Sequence, residues 1–120
     1  MAGQMLKLKS SAIGIDQGDL ILFSDYQHDG LMWTGEGPRQ IRAYVQFASP
    51  FQSPPSVNLG LTMWDVSNAA NARADVQAEE ITALGFAILF KTWGDTRIAR
   101  VRVGWQAIGP VSDDEDWDVV

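Results

Sequence analysis

A chain of 120 residues suffices for one domain with a real hydrophobic core, and 46% hydrophobic content excludes wholesale disorder. A formal net charge of −6 excludes a general binder of phosphate backbones, so no nucleic-acid partner is expected. The lack of cysteine removes disulfides, thiolate catalysis and cysteine-based zinc sites, while five tryptophans beside one histidine each demand a core or a ligand.

Residues 1–9 mix polar and apolar side chains without the apolar run of a signal peptide, and read as a frayed end or edge strand. No stretch approaches the roughly 20 apolar residues of a membrane span, so membrane insertion is not expected. Synthesis in the cytoplasm is expected, with release or display on a phage-like particle needing some other route. Residues 14–19 (GIDQGD) read as a turn leading into a short buried strand, Leu20 to Phe23. Residues 24–39 (SDYQHDGLMWTGEGPR) are dense in Gly, Asp, Glu and Pro and read as one long loop, of the kind that is functional or flexible.

Ile41, Ala43, Val45 and Phe47 alternate with Arg42, Tyr44 and Gln46, the period-two signature of a half-buried strand. The prolines of residues 48–56 (ASPFQSPPS) stop it, because proline donates nothing to a ladder. Val57, Leu59, Leu61 and Met63 form a second clean alternation, ending at Trp64-Asp65. Residues 67–73 (SNAANAR) are a polar loop, and residues 74–81 a third strand in which Ala74, Val76 and Ala78 share a face.

Residues 85–108 then read as a hairpin. Phe86, Ile88 and Phe90 line one face of its first strand; Ala99, Val101, Val103, Trp105 and Ala107 line one face of its second. Trp93-Gly94-Asp95-Thr96 is the turn. The last residues, 111–120 (VSDDEDWDVV), form an acidic tail read as disordered or loosely docked. No segment carries a helical apolar stripe. Short strands with Pro- and Gly-rich connections predict an all-β fold, an antiparallel β-sandwich.

Catalysis is hard to assemble from these residues. His28 stands in a loop without a nucleophile, and the carboxylates concentrate in turns and the tail rather than as a pair facing a cleft. No enzyme activity, cofactor or metal is expected; Asp16 and Asp19 are oxygen donors, but at no spacing that builds a cation loop, and read as solvated turn residues. Gly35-Glu36-Gly37-Pro38 is too short and too acidic to cradle a phosphate. Carbohydrate is the better fit. A sugar offers a patch of C–H groups to an aromatic face and a rim of hydroxyls to planar charged groups. Trp93 at the turn and Arg73 at the end of a polar loop are the right types.

From Val45 onward the chain resembles the H-type lectin domain, the family of snail agglutinins and of the discoidin C-terminal domain. The resemblance is carried in order by Phe47, Pro54-Pro55, Asp65, Arg73, Gly85-Phe86, Thr92-Trp93, Asp95-Thr96, Trp105 and Ala107-Ile108. It implies a six-stranded antiparallel sandwich assembled as a homotrimer, with galactose or N-acetylgalactosamine bound between subunits. It further implies that Arg73 bonds sugar hydroxyls, that Trp93 packs on the sugar from the adjacent subunit, and that Glu36, with Gly35 beside it, supplies the acid. The agglutinins follow the stacking tryptophan with a histidine that meets an acetamido group; here Gly94 stands in its place, and Asp95 is the candidate for a polar role.

The expected division is an N-terminal extension over residues 1–39 (an extra hairpin, an attachment segment or a trimer arm), a lectin-like sandwich over 40–110 and the tail over 111–120. Two functions are carried forward. One is a trimeric lectin in cell adhesion or host recognition. The other is a spike or fibre-tip module of a phage-like particle that recognises host surface polysaccharide.

Overall fold

The structure is a computed structural model that describes residues 2–9 and 11–112; the acidic tail from residue 113 onward lies outside the described residues. Six strands appear in chain order: β1 (Ala12–Phe23), β2 (Arg39–Gln46), β3 (Ser56–Val66), β4 (Asp75–Glu79), β5 (Gly85–Thr92) and β6 (Ile98–Val111). They form two antiparallel three-stranded sheets, ordered β1-β6-β3 and β2-β5-β4. The all-β expectation holds. Between β1 and β2 the long loop contains a 3-10 turn (Asp25–His28) and one helical turn, α1 (Leu31–Thr34).

The core lies between the sheets. Phe86, Ile88 and Phe90 of β5 face Val101, Val103 and Ala107 of β6, all fully buried. Aromatic rings knit the layer: Phe86 meets Trp105 edge-on at 5.5 Å, Phe47 meets Phe51 at 4.9 Å and Phe23 meets Phe90 at 5.4 Å. Such edge-to-face pairs contribute about 0.5–1.5 kcal/mol each beyond the area they bury.

Two readings of the sequence are corrected here. Residues 85–108 are not a hairpin: β5 belongs to one sheet and β6 to the other, so the 93–97 link crosses between layers. The hairpin partner of β5 is β4, through a turn in which Thr82 Oγ1 accepts from the backbone of Leu84 and Gly85. A short polar turn between alternating strands fits either path. The distinguishing feature is β5 itself, buried on both faces from Gly85 to Phe90. Its outer residues Ala87 and Leu89 lie opposite Glu79 and Arg42 in the ladder, and those two side chains join in an ion pair across β5. A second bond, 2.7 Å from Arg42 Nη2 to Glu80, raises the Arg42 guanidinium pKa above its ordinary value.

The second correction concerns residues 14–19, which are not a turn. They continue into a single twelve-residue strand, β1, paired along its length with β6. Gly14 and Gly18 serve close packing. A Cβ at Gly14 would lie 2.5 Å from a Val111 methyl, and one at Gly18 would press the Trp105 indole at 3.3 Å. The sandwich therefore reaches six strands only by including β1 from the segment read as an extension. Asp16 and Asp19, three apart on this strand, project to opposite faces, and Asp16 accepts from the Ala48 and Gln17 backbone N–H groups.

Candidate functional site

The β5–β6 link and the loops beside it gather most of the predicted residues at one edge of the sandwich. Gly94 has φ +71°, a left-handed conformation that glycine adopts without strain, and it turns the chain from one sheet to the other. Arg73, from the loop before β4, lies over it: a Cβ at Gly94 would sit 2.9 Å from Arg73 Nη1. Arg73 Nη1 then donates to Asp95 Oδ1 at 2.6 Å and to Thr96 Oγ1 at 3.3 Å. The guanidinium hydrogen bond holds the Asp95 carboxyl below the usual carboxylate range.

Two buried threonines fix the loop that carries Arg73. Thr92 Oγ1 donates to the Arg73 carbonyl and Thr96 Oγ1 to the Asn71 carbonyl, each at 2.6 Å. The two hydroxyls flank the Trp93-Gly94-Asp95 turn, so turn and loop are one rigid unit. Their spacing in Thr-Trp-Gly-Asp-Thr is the sequence signal for that role.

Glu36 stands across a groove of about 390 Å³ from Asp95, with Trp33, Ser67, Ala69, Ala70 and Arg97 completing the walls. Arg97 Nη2 lies 3.9 Å from Glu36 Oε1. Gly35 beside it closes α1, its N–H donating to the Leu31 carbonyl at 2.8 Å, where a Cβ would strike that oxygen at 2.6 Å. Trp93 is not in this groove. It is 45% exposed and lines a separate one with Pro38, Arg39, Gln40, Lys91 and Thr92. Arg73, Gly94, Asp95, Glu36 and Gly35 are thus brought to one edge, and Trp93 lines a different groove. His28 ends the 3-10 turn.

Arg39 is the residue that sequence reasoning missed. Its guanidinium donates to five backbone carbonyls: Leu31 and Met32 of α1, Gly37, and Gly94 and Thr96 of the β5–β6 link. Together with the bond from Gly37 N–H to the Gly94 carbonyl at 2.9 Å, it clamps the loop bearing Glu36 onto the turn bearing Asp95. Burial lowers the Arg39 pKa from its ordinary value, Glu36 opposing the shift and Arg97 adding to it. No pattern in the sequence distinguishes this arginine from an exposed one at the start of a strand.

The structure is thus a two-sheet antiparallel sandwich with a polar, arginine- and carboxylate-lined edge. Residues 42–108 match the H-type lectin domain, and the chain belongs to that family, one of carbohydrate-binding domains rather than enzymes. It is 56% identical over 115 residues to the protein called ATP synthase subunits region ORF 7 of Fuscovulum blasticum, covering 96% of this chain and 99% of that one. It is also 33% identical over 75 residues to a discoidin-1 polypeptide of Dictyostelium discoideum, covering 62% of this chain but 30% of that protein.

Among solved structures, discoidin II of the same organism superposes with a TM-score of 0.71 at 24% identity, over 88% of this chain and 40% of that one. A tailspike protein of Pseudomonas phage LKA1 shares the fold at a TM-score of 0.51 and 16% identity, over 84% of this chain and 15% of that one.

Proposed function

We propose that the chain is a lectin for galactose-type sugars, galactose or N-acetylgalactosamine, bound at sites completed between copies of a homotrimer. The observation that carries this reading is the Arg73–Asp95 pair, held at 2.6 Å over Gly94 with both groups reaching solvent. A guanidinium donates in its plane and a carboxylate accepts in its own, so the pair meets two neighbouring hydroxyls that each donate and accept. Glu36, across the groove from Asp95, supplies a second acceptor, with Gly35 setting its loop. Trp93 supplies the apolar face. Because it points into a different groove of its own chain, the reading places it against the sugar of an adjacent copy.

The outer face of the β1-β6-β3 sheet supports the trimer. Ile13, Ile15 and Ile21 lie on the outer face of β1, with exposed Gln17 and Asp19 between the last two, and are each about half exposed; Arg102 Nε on the neighbouring strand is buried without a partner among the described residues. A stripe of that kind is a surface awaiting cover. On this reading residues 1–39 act as a trimer-stabilising arm through β1.

A glycan array followed by calorimetric titration with galactose is the test. Wild-type protein binds galactose-terminated glycans, and Arg73→Ala and Trp93→Ala each weaken binding by about tenfold or more while circular dichroism is unchanged. A silent array with folded protein overturns the reading. The fold shared with a phage tailspike motivates a second reading, a fibre-tip module that recognises host polysaccharide. Finding the protein on purified particles by immunogold microscopy would favour it over a free lectin.

A further inference from the structure

The groove between Asp95 and Glu36 does not end at Trp33. Trp33 also lines a second groove, of about 240 Å³, on its other side, shared with Ser24, Tyr26, Asp65, Ala99 and Arg100. Tyr26 and Trp33 stand edge-to-face, ring centres 5.6 Å apart at 84°, and Tyr26 is largely exposed. Arg100 Nε lies 3.4 Å from Asp65 Oδ2, an exposed cross-strand pair. Both aromatics come from residues 24–37, outside the 42–108 match, so this half of the surface is particular to the loop between β1 and β2.

Three arginine–carboxylate pairs follow one another along this edge: Arg73–Asp95, Arg97–Glu36 and Arg100–Asp65, with Trp33 standing between the second and the third. Each pair offers planar donors beside planar acceptors, the complement of adjacent hydroxyls on one sugar ring. Each pair is also neutral overall, so the track has no net attraction for an acidic polymer. The aromatic ridge gives ring C–H faces a place to pack between polar stations. Strand β1 ends its pairing at Phe23 opposite Val101, so Arg100 lies beyond the isoleucine stripe and the second groove stays open.

We infer that the loop of residues 24–37 extends the sugar site into a track for a neutral linear oligosaccharide, with Tyr26, Trp33, Asp65 and Arg100 as a second subsite. The inference rests on the lectin reading and adds chain length to it. Titration calorimetry with galactose and with neutral galactose-containing oligosaccharides of two to five residues, in both α and β linkages, tests it. The expected result is affinity rising by about tenfold between the monosaccharide and the best oligosaccharide. Tyr26→Ala and Arg100→Gln each remove most of that rise and leave galactose binding unchanged, while Arg73→Ala weakens both. Galacturonate oligomers of the same lengths bind no tighter than galactose.

Equal affinity for galactose and every oligosaccharide overturns the second subsite and leaves the lectin reading standing. The same holds for a length-dependent gain that survives both variants with their thermal midpoints unchanged. Binding of no carbohydrate overturns the lectin reading and the inference with it.

Discussion

Gly94 shows how one residue ties backbone conformation to the placement of a side chain. Its φ of +71° suits glycine, and the space above its Cα is already filled by Arg73 Nη1. Gly94→Ala therefore meets two costs, left-handed strain and a displaced guanidinium, and is expected to destabilise the fold by about 1–2 kcal/mol. Urea denaturation measures the first cost. The second appears as loss of the Arg73–Asp95 bond, read from the Asp95 carboxyl titrating back in the ordinary range by NMR. This glycine is thus the residue that lets Arg73 lie where it does.

On the proposed reading, Asp95 carries the pH dependence of sugar binding. Its folded pKa is lowered, first by the Arg73 hydrogen bond, so the pair's contribution is present above the unfolded carboxylate pKa and is lost as pH falls through the lower folded value. Sugar binding is accordingly expected to persist below the pH at which a free aspartate protonates, then to fall with a midpoint matching the Asp95 titration. Asp95→Asn should abolish that acid limb. Binding measured from neutral pH downward for both proteins checks it; an unchanged limb in the variant would assign it elsewhere.

At the scale of elements, the site is held by one arginine that bonds only backbone. Arg39 reaches five carbonyls across α1, the loop after it and the β5–β6 link, so Arg39→Ala would strand acceptors on both sides at once. Losing charge-assisted bonds of this kind costs about 1.5–3 kcal/mol. The expected signature is local as well as global: the Gly37 amide, bonded to the Gly94 carbonyl, loses hydrogen-exchange protection while β5 amides keep theirs. Uniform loss across both would mean Arg39 supports the whole sandwich and not this junction.

The same elements show what the sequence could convey. β2 and β3 were legible because one face of each is apolar and the other wet, which is what a period of two records. The β5–β6 crossing was not, because alternation reports which side of a strand is buried and says nothing about which sheet receives the next one. β1 was obscured by Gly14 and Gly18, which signal turns in isolation but here make room for Val111 and Trp105, residues about ninety positions away. Arg73 and Asp95 were legible as residue types at loop and turn positions. Their mutual bond, and the clamp formed by Arg39, depend on long-range placement that no local pattern encodes.

For the whole molecule, the decisive question is whether the outer face of the β1-β6-β3 sheet is covered. Three half-exposed isoleucines on an edge strand, beside a buried arginine nitrogen without a partner among the described residues, are a poor surface for a lone protomer. Each isoleucine is already about half covered, so burying the rest between copies is worth about 0.8–1.5 kcal/mol apiece, a contribution to a threefold interface. Light scattering is therefore expected to give three times the chain mass of 13.2 kDa. Ile15→Lys places a charge in the stripe at its most exposed position and should shift the protein to monomer. The substitution faces solvent in the single chain, so the monomer keeps its β-sheet circular dichroism. It should nevertheless lose galactose binding, since Arg73 and the Trp93 that completes its site would no longer belong to touching copies. A monomeric wild type that binds galactose as well at low as at high protein concentration would remove the shared site, and Trp93 would need another role.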